Sequence, residues 1–347
     1  SVNPYNMLNN PGYRRYNTMV AQSLLSLTQD FSDIITPGLK ANVKFAWDAQ
    51  NATLLERAMS PVTYYATGRD ENGELMLTAA NPNGSNYMRL ATSDSSGTTA
   101  INFEGSLIYE RLFAEDHRVS GMFLYSVRSK SKNRPVNYID AYPTKNMGIA
   151  GRFTYAFRDK YFAEFNFGYN GSENFAKGKR MGVFPAVAIG WVASEESFLR
   201  NSEVLTWFKI RASVGQVGND QIPSTRFIYL ATINSGANGY GNLGVNFDQG
   251  AGGIGEGRMA NQDVTWEVST KYNVGIETGF FNELKINADF VYERRENIFL
   301  APQFSEISGL PKDYTNYPNM GLMENRGFEV SAEYVKRFSK DLTVSVR

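Results

Sequence analysis

Paired carboxylates are a common acid–base device in hydrolases, and two candidate pairs stand in this chain: Glu195 with Glu196, and Glu293 with Glu296. Such chemistry needs both carboxyls to converge on one bond. Neighbouring residues of an extended strand point to opposite faces, so these carboxylates read as solvated turn residues. Gly239-Tyr240-Gly241-Asn242-Leu243-Gly244 spells the glycine pattern that cradles a dinucleotide phosphate, but it lies in a Gly-rich loop without the strand and helix that chemistry requires. Asp70-Glu71-Asn72-Gly73-Glu74 has a calcium-loop flavour, yet it lacks the full ligand spacing and the closing Glu, and reads as a plain turn. The single His, His117, falls in a turn and is expected to be exposed. With one His and no Cys, metal catalysis and a Cys/His nucleophile have no constituents. No catalytic residue, metal or cofactor is expected, and an enzyme is the least favoured class.

The charged residues that remain are distributed rather than clustered. Lys+Arg and Asp+Glu number 35 each, which gives no electrostatic case for nucleic acid. Lys40, Lys44, Lys209 and Arg211 recur at every second or fourth position of alternating segments, so each pair shares one face of a strand. Aromatic residues in the expected loops, Tyr64, Tyr65, Tyr87, Tyr240, Phe247, Tyr314 and Tyr317, offer flat surfaces for sugar rings or peptides. They are equally ordinary packing anchors.

The elements that must position these groups are strands. In residues 39–48, Leu39, Ala41, Val43, Phe45 and Trp47 alternate with Lys40, Asn42, Lys44 and Asp48, giving one apolar and one wet flank. The same alternation predicts strands at about 17–29, 39–49, 103–113, 118–128, 149–157, 161–169, 182–193, 206–217, 265–280, 283–297, 323–338 and 342–347. Tight turns at 114–117, 158–160, 281–282 and 339–341 take turns with long polar connections at 50–100, 129–145, 170–180, 218–263 and 298–322. About twelve strands in six hairpins, short turns at one end and long loops at the other, predict an antiparallel barrel in an outer membrane, with lipid outside and water within. No stretch approaches the roughly 18–20 apolar residues of a membrane-crossing helix; residues 183–193 are the longest such run. A soluble β-rich binding or adhesin module would show the same alternation with its apolar face buried in protein.

Several stretches carry a resemblance. Tyr169-Asn170-Gly171-Ser172-Glu173-Asn174-Phe175, Lys179-Arg180-Met181-Gly182-Val183-Phe184-Pro185-Ala186-Val187-Ala188-Ile189-Gly190-Trp191 and Ser194-Glu195-Glu196-Ser197-Phe198 follow one another in order. Then come Phe208-Lys209-Ile210-Arg211-Ala212-Ser213-Val214-Gly215-Gln216-Val217-Gly218-Asn219, Val264-Thr265-Trp266-Glu267, Asn273-Val274-Gly275-Ile276-Glu277 and Asn325-Arg326-Gly327-Phe328-Glu329. This ordered series, over residues 146–338, resembles the SusC/RagA family of TonB-linked outer-membrane transporters. It departs from the family pattern at Tyr169, Asn170 and Met181.

The resemblance implies a barrel of about 22 strands closed by an N-terminal plug, of which the chain is expected to be an internal piece of one barrel domain without plug, TonB-contacting segment or closing strands. It implies import of a large nutrient, an oligosaccharide or a peptide, across the outer membrane of a Gram-negative cell, with TonB and a SusD-like surface lipoprotein as partners. A siderophore or vitamin receptor is the alternative within transport. Lys40, Lys44, Lys209 and Arg211 are then expected to line the lumen, as a substrate path or against the plug, and the long loops to face outward.

Overall fold

The computed structural model describes residue 8 and residues 12–135, 138–222, 226–237, 253–300, 318–339 and 342–347. The strands are β1 (Tyr13–Asp30), β2 (Leu39–Ser60), β3 (Tyr64–Arg69), β4 (Leu75–Ala79), β5 (Ser85–Phe113), β6 (His117–Lys132), β7 (Thr144–Phe157), β8 (Tyr161–Ser172), β9 (Met181–Val192), β10 (Leu205–Asn219), β11 (Ile233–Ala237), β12 (Gly253–Glu256), β13 (Glu267–Phe280), β14 (Leu284–Phe299), β15 (Asn319–Arg337) and β16 (Thr343–Val346). Twelve of them form one sheet in the order β1-β2-β5-β6-β7-β8-β9-β10-β13-β14-β15-β16, while β3–β4 and β11–β12 are separate hairpins. Every strand of the large sheet pairs with its neighbour in sequence once those two hairpins are set aside. A single helical turn at Tyr138–Ala141 and a 3-10 turn at Ala193–Glu195 complete the described elements.

Two units divide the chain. One takes residues 1–24, 46–101 and 129–143; the other takes residues 25–45, 102–128 and 144–347. In the first, Asn81 closes the segment that carries β3 and β4, accepting from the backbone N–H and hydroxyl of Thr63 and donating to the carbonyl of Pro61. In the second, residue alternation sorts the sheet cleanly. Cross-strand partners share a face, and the register aligns Trp191 with Ile210, Ile210 with Ile276, Ile276 with Ala288, and Phe290 with both Val274 and Phe328. This face is uncovered among the described residues: Phe328 is 81 % exposed, Ile189 60 % and Phe290 53 %.

The tight turns share one geometry. Ala114 and Glu115, Arg158 and Asp159, and Phe281 and Asn282 all have φ between 49° and 61°, and each turn closes with an N–H to carbonyl bond from Asp116 to Phe113, Lys160 to Phe157, and Glu283 to Phe280. Two successive left-handed residues make the primed turn whose twist matches that of the strands it joins. Each is entered from a Phe.

Several boundaries correct the sequence reading. The connection expected at 50–100 is mostly strand: β2 runs on to Ser60, β5 begins at Ser85, and β3 and β4 occupy the middle. Polar strand residues outside an apolar band carry no alternation of hydropathy, so their periodicity was invisible. For the same reason β1 begins at Tyr13 and β6 continues to Lys132. Loop length also alternates less strictly than expected, because the β8–β9 connection, residues 173–180, is shorter than the β9–β10 connection, residues 193–204. The expected turn at 339–341 lies partly outside the described residues.

Candidate functional site

Strict alternation on β10 puts Lys209 and Arg211 on the polar face of the second unit. Opposite them on β13 stand Glu277 and Gly275. The Arg211 guanidinium donates to Glu277 (3.1 Å), to the Asn273 amide oxygen (3.2 Å) and to Asp289 on β14 (2.8 Å). It reaches Asp289 by lying across Gly275, where a Cβ would stand 2.8 Å from its Cζ. Lys209 shares Glu277 at 3.9 Å and lies 5.9 Å from the centre of the Phe162 ring. Lys209, Arg211 and Phe162, together with Arg118, Arg152 and Glu164, line a groove of about 450 Å³. Arg152 is paired with Glu164 at 2.9 Å across β7 and β8.

The structure thus brings two of the four sequence-predicted cations together and leaves two apart. Lys44 pairs with Glu104 on β5 at 3.0 Å, and Lys40 with Asp30 at 3.3 Å. All four have a carboxylate partner. Exposed pairs of this kind contribute about 0–1 kcal/mol each, whereas the shared, half-buried network at Arg211 is stronger because charged hydrogen bonds reinforce one another.

A second network was not anticipated. Glu293 on β14 accepts from the Ser269 hydroxyl (2.6 Å) and from Arg295 (3.1 Å), and Arg295 also lies 3.5 Å from Glu267. Its signal was in the sequence: Glu267, Ser269 and Lys271 alternate on β13 as Glu293 and Arg295 do on β14. Glu296, by contrast, pairs with Arg294. Glu293 and Glu296 therefore do not converge, as expected of strand residues on opposite faces. Among the described residues no group of three or more acidic or His side chains could hold a metal ion.

At the loop end β9 and β10 part. Their register stops at Ala186 and Gly215, and the space beyond is filled by an apolar cluster of Phe175, Phe184, Ile222, Ile228, Val264, Trp266 and Phe299, with Val268 packed against it. Phe184 reaches across to β10, and its ring lies on Gly218, which has no room for a side chain. Trp266 donates its indole N–H to the Arg180 carbonyl (3.2 Å). The described residues of the connection after β10 are held to this cluster: Ile228 is fully buried, Arg226 is paired with Glu173, and Arg258 donates to the carbonyls of Phe227 (3.0 Å) and Leu230 (3.2 Å). Asn319 fixes Thr265 from both sides, accepting from its N–H and donating to its carbonyl, each at 2.9 Å. Phe175, Arg180, Gly182, Phe184, Gly218, Val264 and Trp266 are distant in sequence, and all belong to the ordered motif series. Their shared role is to build this one wedge.

The turn end is laced from hairpin to hairpin. Asp116 and Arg118 of one turn pair with Arg158 (3.0 Å) and Asp159 (3.3 Å) of the next. The carboxylate of Asp116 holds the Arg158 guanidinium above its ordinary pKa. Glu196 accepts from the Tyr161 hydroxyl (2.6 Å) and the Trp191 indole N–H (3.4 Å) and lies 3.6 Å from Lys160. These bonds, that of Tyr161 first, hold its carboxyl below the usual 4.5. Glu195 is exposed, while Glu196 is half-buried. His117 is also half-buried rather than exposed; its Nδ1 lies 2.8 Å from the Tyr155 hydroxyl and its ring 4.9 Å from that of Phe157.

Of the loop aromatics, Tyr64 and Tyr65 lie on β3, 60 % and 54 % exposed, and Tyr87 lies on β5 with Arg89 over its ring at 5.2 Å. All three belong to the first unit. Tyr240, Phe247, Tyr314 and Tyr317, and the glycine pattern at 239–244, lie outside the described residues. Asp70–Glu74 is a hairpin turn, with Asp70 accepting from the N–H groups of Asn72 and Glu74 and Gly73 at φ +82°.

Comparison with known proteins agrees with this geometry. Residues 2–346 match the family model described as TonB dependent receptor-like, beta-barrel. TonB-dependent receptor P3 of Formosa agariphila is 30 % identical over 213 residues, covering 61 % of this chain and 20 % of that protein. TonB-dependent receptor SusC of Bacteroides thetaiotaomicron is 27 % identical over 207 residues, covering 58 % and 20 %. The chain thus spans about a fifth of the length of these relatives. The RagAB peptide importer in its closed-closed state superimposes with a TM-score of 0.67 at 18 % identity, over 96 % of this chain and 36 % of that one, which shows a common fold. The match to that family model over residues 2–346, with which the strand order and the ordered motif series agree, places this chain in the TonB-dependent receptor β-barrel family.

Proposed function

We propose that the chain is part of the barrel wall of a TonB-dependent outer-membrane importer for a large nutrient, an oligosaccharide or a peptide, which works with a SusD-like surface lipoprotein. The observation that carries this reading is the two-faced sheet. Its apolar flank, with Phe165, Val187, Ile189, Val274, Ile276 and Phe290 exposed, meets lipid, since a water-solvated patch of that extent is unfavourable. Aromatic residues border it as in outer-membrane barrels: Tyr161 and Trp191 are paired at the turn end, and Tyr169 and the stacked Tyr272 and Tyr292 lie at the loop end. From Tyr161 to Tyr169 is about 26 Å along the strand at roughly 3.3 Å per residue. A tilt of about 40° brings that to about 20 Å of membrane height, near the band such barrels present.

The polar flank then faces the aqueous interior, with Lys40, Lys44, Lys209 and Arg211 as lumen-lining residues. Each has a carboxylate partner in the wall, which favours a structural role or contact with a plug over direct capture of substrate. The connections after β2, β10 and β14 face outward, carrying Tyr64, Tyr65, Tyr240, Tyr314 and Tyr317, with Tyr87 at the outer end of β5. Transport in this reading is not catalysis: nutrient binds at the outer mouth, and TonB pulling on a plug domain opens the path.

The test is uptake by cells that carry the full-length protein, with and without TonB, using radiolabelled oligosaccharides and peptides as separate probes. TonB-dependent accumulation of one class supports the proposal. Equal accumulation without TonB, or a protein that purifies without detergent and shows no heat-dependent shift in gel mobility, contradicts it.

A further inference from the structure

The polar face is not uniform. Toward the turns its charges are consumed by one another, through Arg211, Lys209, Arg152 and Lys44 and their carboxylates. Toward the loops the pattern changes. Asn102 on β5, Ser126 and Arg128 on β6, Asn146 on β7, Asn170 on β8 and Asp220 after β10 line a groove of about 500 Å³ bounded on one side by Trp266 and floored at its turn-ward edge by Glu104, which Lys44 holds. Among the described residues none of these six side chains has a hydrogen-bond or ion-pair partner. They stand together because Gly148 leaves the wall bare between them: a Cβ there would lie 2.7 Å from the Asn170 amide oxygen and 3.4 Å from the Ser126 hydroxyl.

From this arrangement, and resting on the importer reading above, we propose that the groove is a ligand subsite for a neutral, polyhydroxylated chain, an oligosaccharide. A hydroxyl group donates and accepts at once, and so does a side-chain amide. Three amides, a hydroxyl, a carboxylate and a guanidinium on adjoining strands offer sugar hydroxyls both senses of bond, without first breaking bonds inside the wall. Neighbouring strands lie about 4.8 Å apart, of the order of one sugar ring, so the row β5 to β8 repeats its polar groups along a chain of rings. The volume falls within the range of about 300–1,000 Å³ typical of ligand sites.

The apolar residues that border the groove belong to the other face. Phe103 packs edge-on with Tyr125 at 6.5 Å between centroids, and Met147 lies with Met181 beside Gly171. Apolar side chains of a peptide would therefore meet chiefly the edge of Trp266, which is 8 % exposed, while the side chains of Phe103, Val127 and Met147 alternate to the opposite face. That asymmetry favours sugar over peptide.

The experiment uses the purified full-length transporter and calorimetric titration with maltohexaose, laminarihexaose, cellohexaose and mannohexaose, and separately with hexaglycine and a tryptic digest of casein. Wild-type protein is expected to bind at least one hexasaccharide, and Asn146→Ala/Asn170→Ala to raise its Kd at least about tenfold, the loss of two hydrogen bonds. Heat-dependent gel mobility checks that the variant barrel is intact. Binding of the casein digest or hexaglycine and no hexasaccharide overturns the proposal, as does an unchanged Kd in the variant or no binding of any hexasaccharide. A variant that binds sugar normally while its plug becomes protease-sensitive makes the groove a plug seat instead, and also overturns it. TonB-dependent uptake that survives any of these outcomes leaves the importer reading standing, whereas loss of TonB dependence in the wild type removes that reading first.

Discussion

Gly275 holds open the surface over which the Arg211 guanidinium crosses β13, and any side chain there would meet both Arg211 and its partner Asp289, whose Oδ1 would lie 2.6 Å from the new Cβ. Ala is otherwise preferred over Gly inside a strand by about 0.5–1 kcal/mol. Displacing the guanidinium forfeits charged hydrogen bonds worth about 1.5–3 kcal/mol each, so the loss wins. Gly275→Ala is expected to destabilise the full-length barrel by about 1–2 kcal/mol in urea unfolding from lipid vesicles, the difference of those two terms. In an Arg211→Ala background, which leaves only the end of the Asp289 side chain to give way, the same substitution should cost clearly less than in the wild type, and a double-mutant cycle showing no such coupling refutes the crossing geometry.

The wedge between β9 and β10 makes a local prediction. Phe→Ala in a packed cluster costs about 3–5 kcal/mol, and Phe184 is 8 % exposed within that cluster. Phe184→Ala should release the connection after β10 while the sheet persists. Trypsin is then expected to cleave at Arg226 or Arg258 in the variant and to spare both in the wild type. Equal protection in the two proteins would show that the loop is held by something else.

Turn chemistry offers a stabilising change. Ala114 and Glu115 both occupy left-handed backbone, at φ 49° and 61°, where a residue with a Cβ costs roughly 1–2 kcal/mol. Asn-Gly is the preferred pair for this turn. Ala114→Asn/Glu115→Gly should raise the unfolding midpoint by an amount equivalent to about 1–2 kcal/mol; a lower midpoint would argue that the two residues make contacts across the turn that outweigh the backbone gain.

Acid should loosen the turn end through Glu196. Its pKa is depressed from 4.5 by the Tyr161 hydroxyl first, and also by Trp191 and Lys160. A depressed carboxyl contributes stability above its unfolded pKa and loses it as pH falls through the lower, folded value. The fluorescence of Trp191 is therefore expected to change in the wild type only at pH values below the ordinary carboxylate value of 4.5, and Glu196→Gln should abolish that transition. A titration that survives the substitution assigns it to another group.

How much of this was legible depended on hydropathy contrast. Phe208, Ile210 and Ala212 against Lys209, Arg211 and Ser213 announced β10, and the face assignment of Lys209 and Arg211 followed. Ser85 to Ala100, where polar residues occupy both flanks, announced nothing, so the outer half of β5 read as loop. Phe184, Gly218 and Trp266 were visible as pieces of an ordered motif series, but their contact spans a gap between strands that no local pattern encodes. Nor could the sequence show which polar residues have partners. Lys44 and Ser126 look alike as members of a wet flank, and only the register separates the one that is paired from the one that is open.

The central claim is that the apolar flank of the sheet is solvated by hydrocarbon. Nitroxide labels placed singly at Phe165, Val187, Ile189, Val274, Ile276 and Phe290 of the full-length protein in lipid bilayers measure this through collisions with molecular oxygen and with a water-soluble nickel chelate. Frequent oxygen collisions and rare chelate collisions at all six positions are predicted. Chelate access at these positions, or shielding from both reagents as in a packed protein interior, would contradict the account.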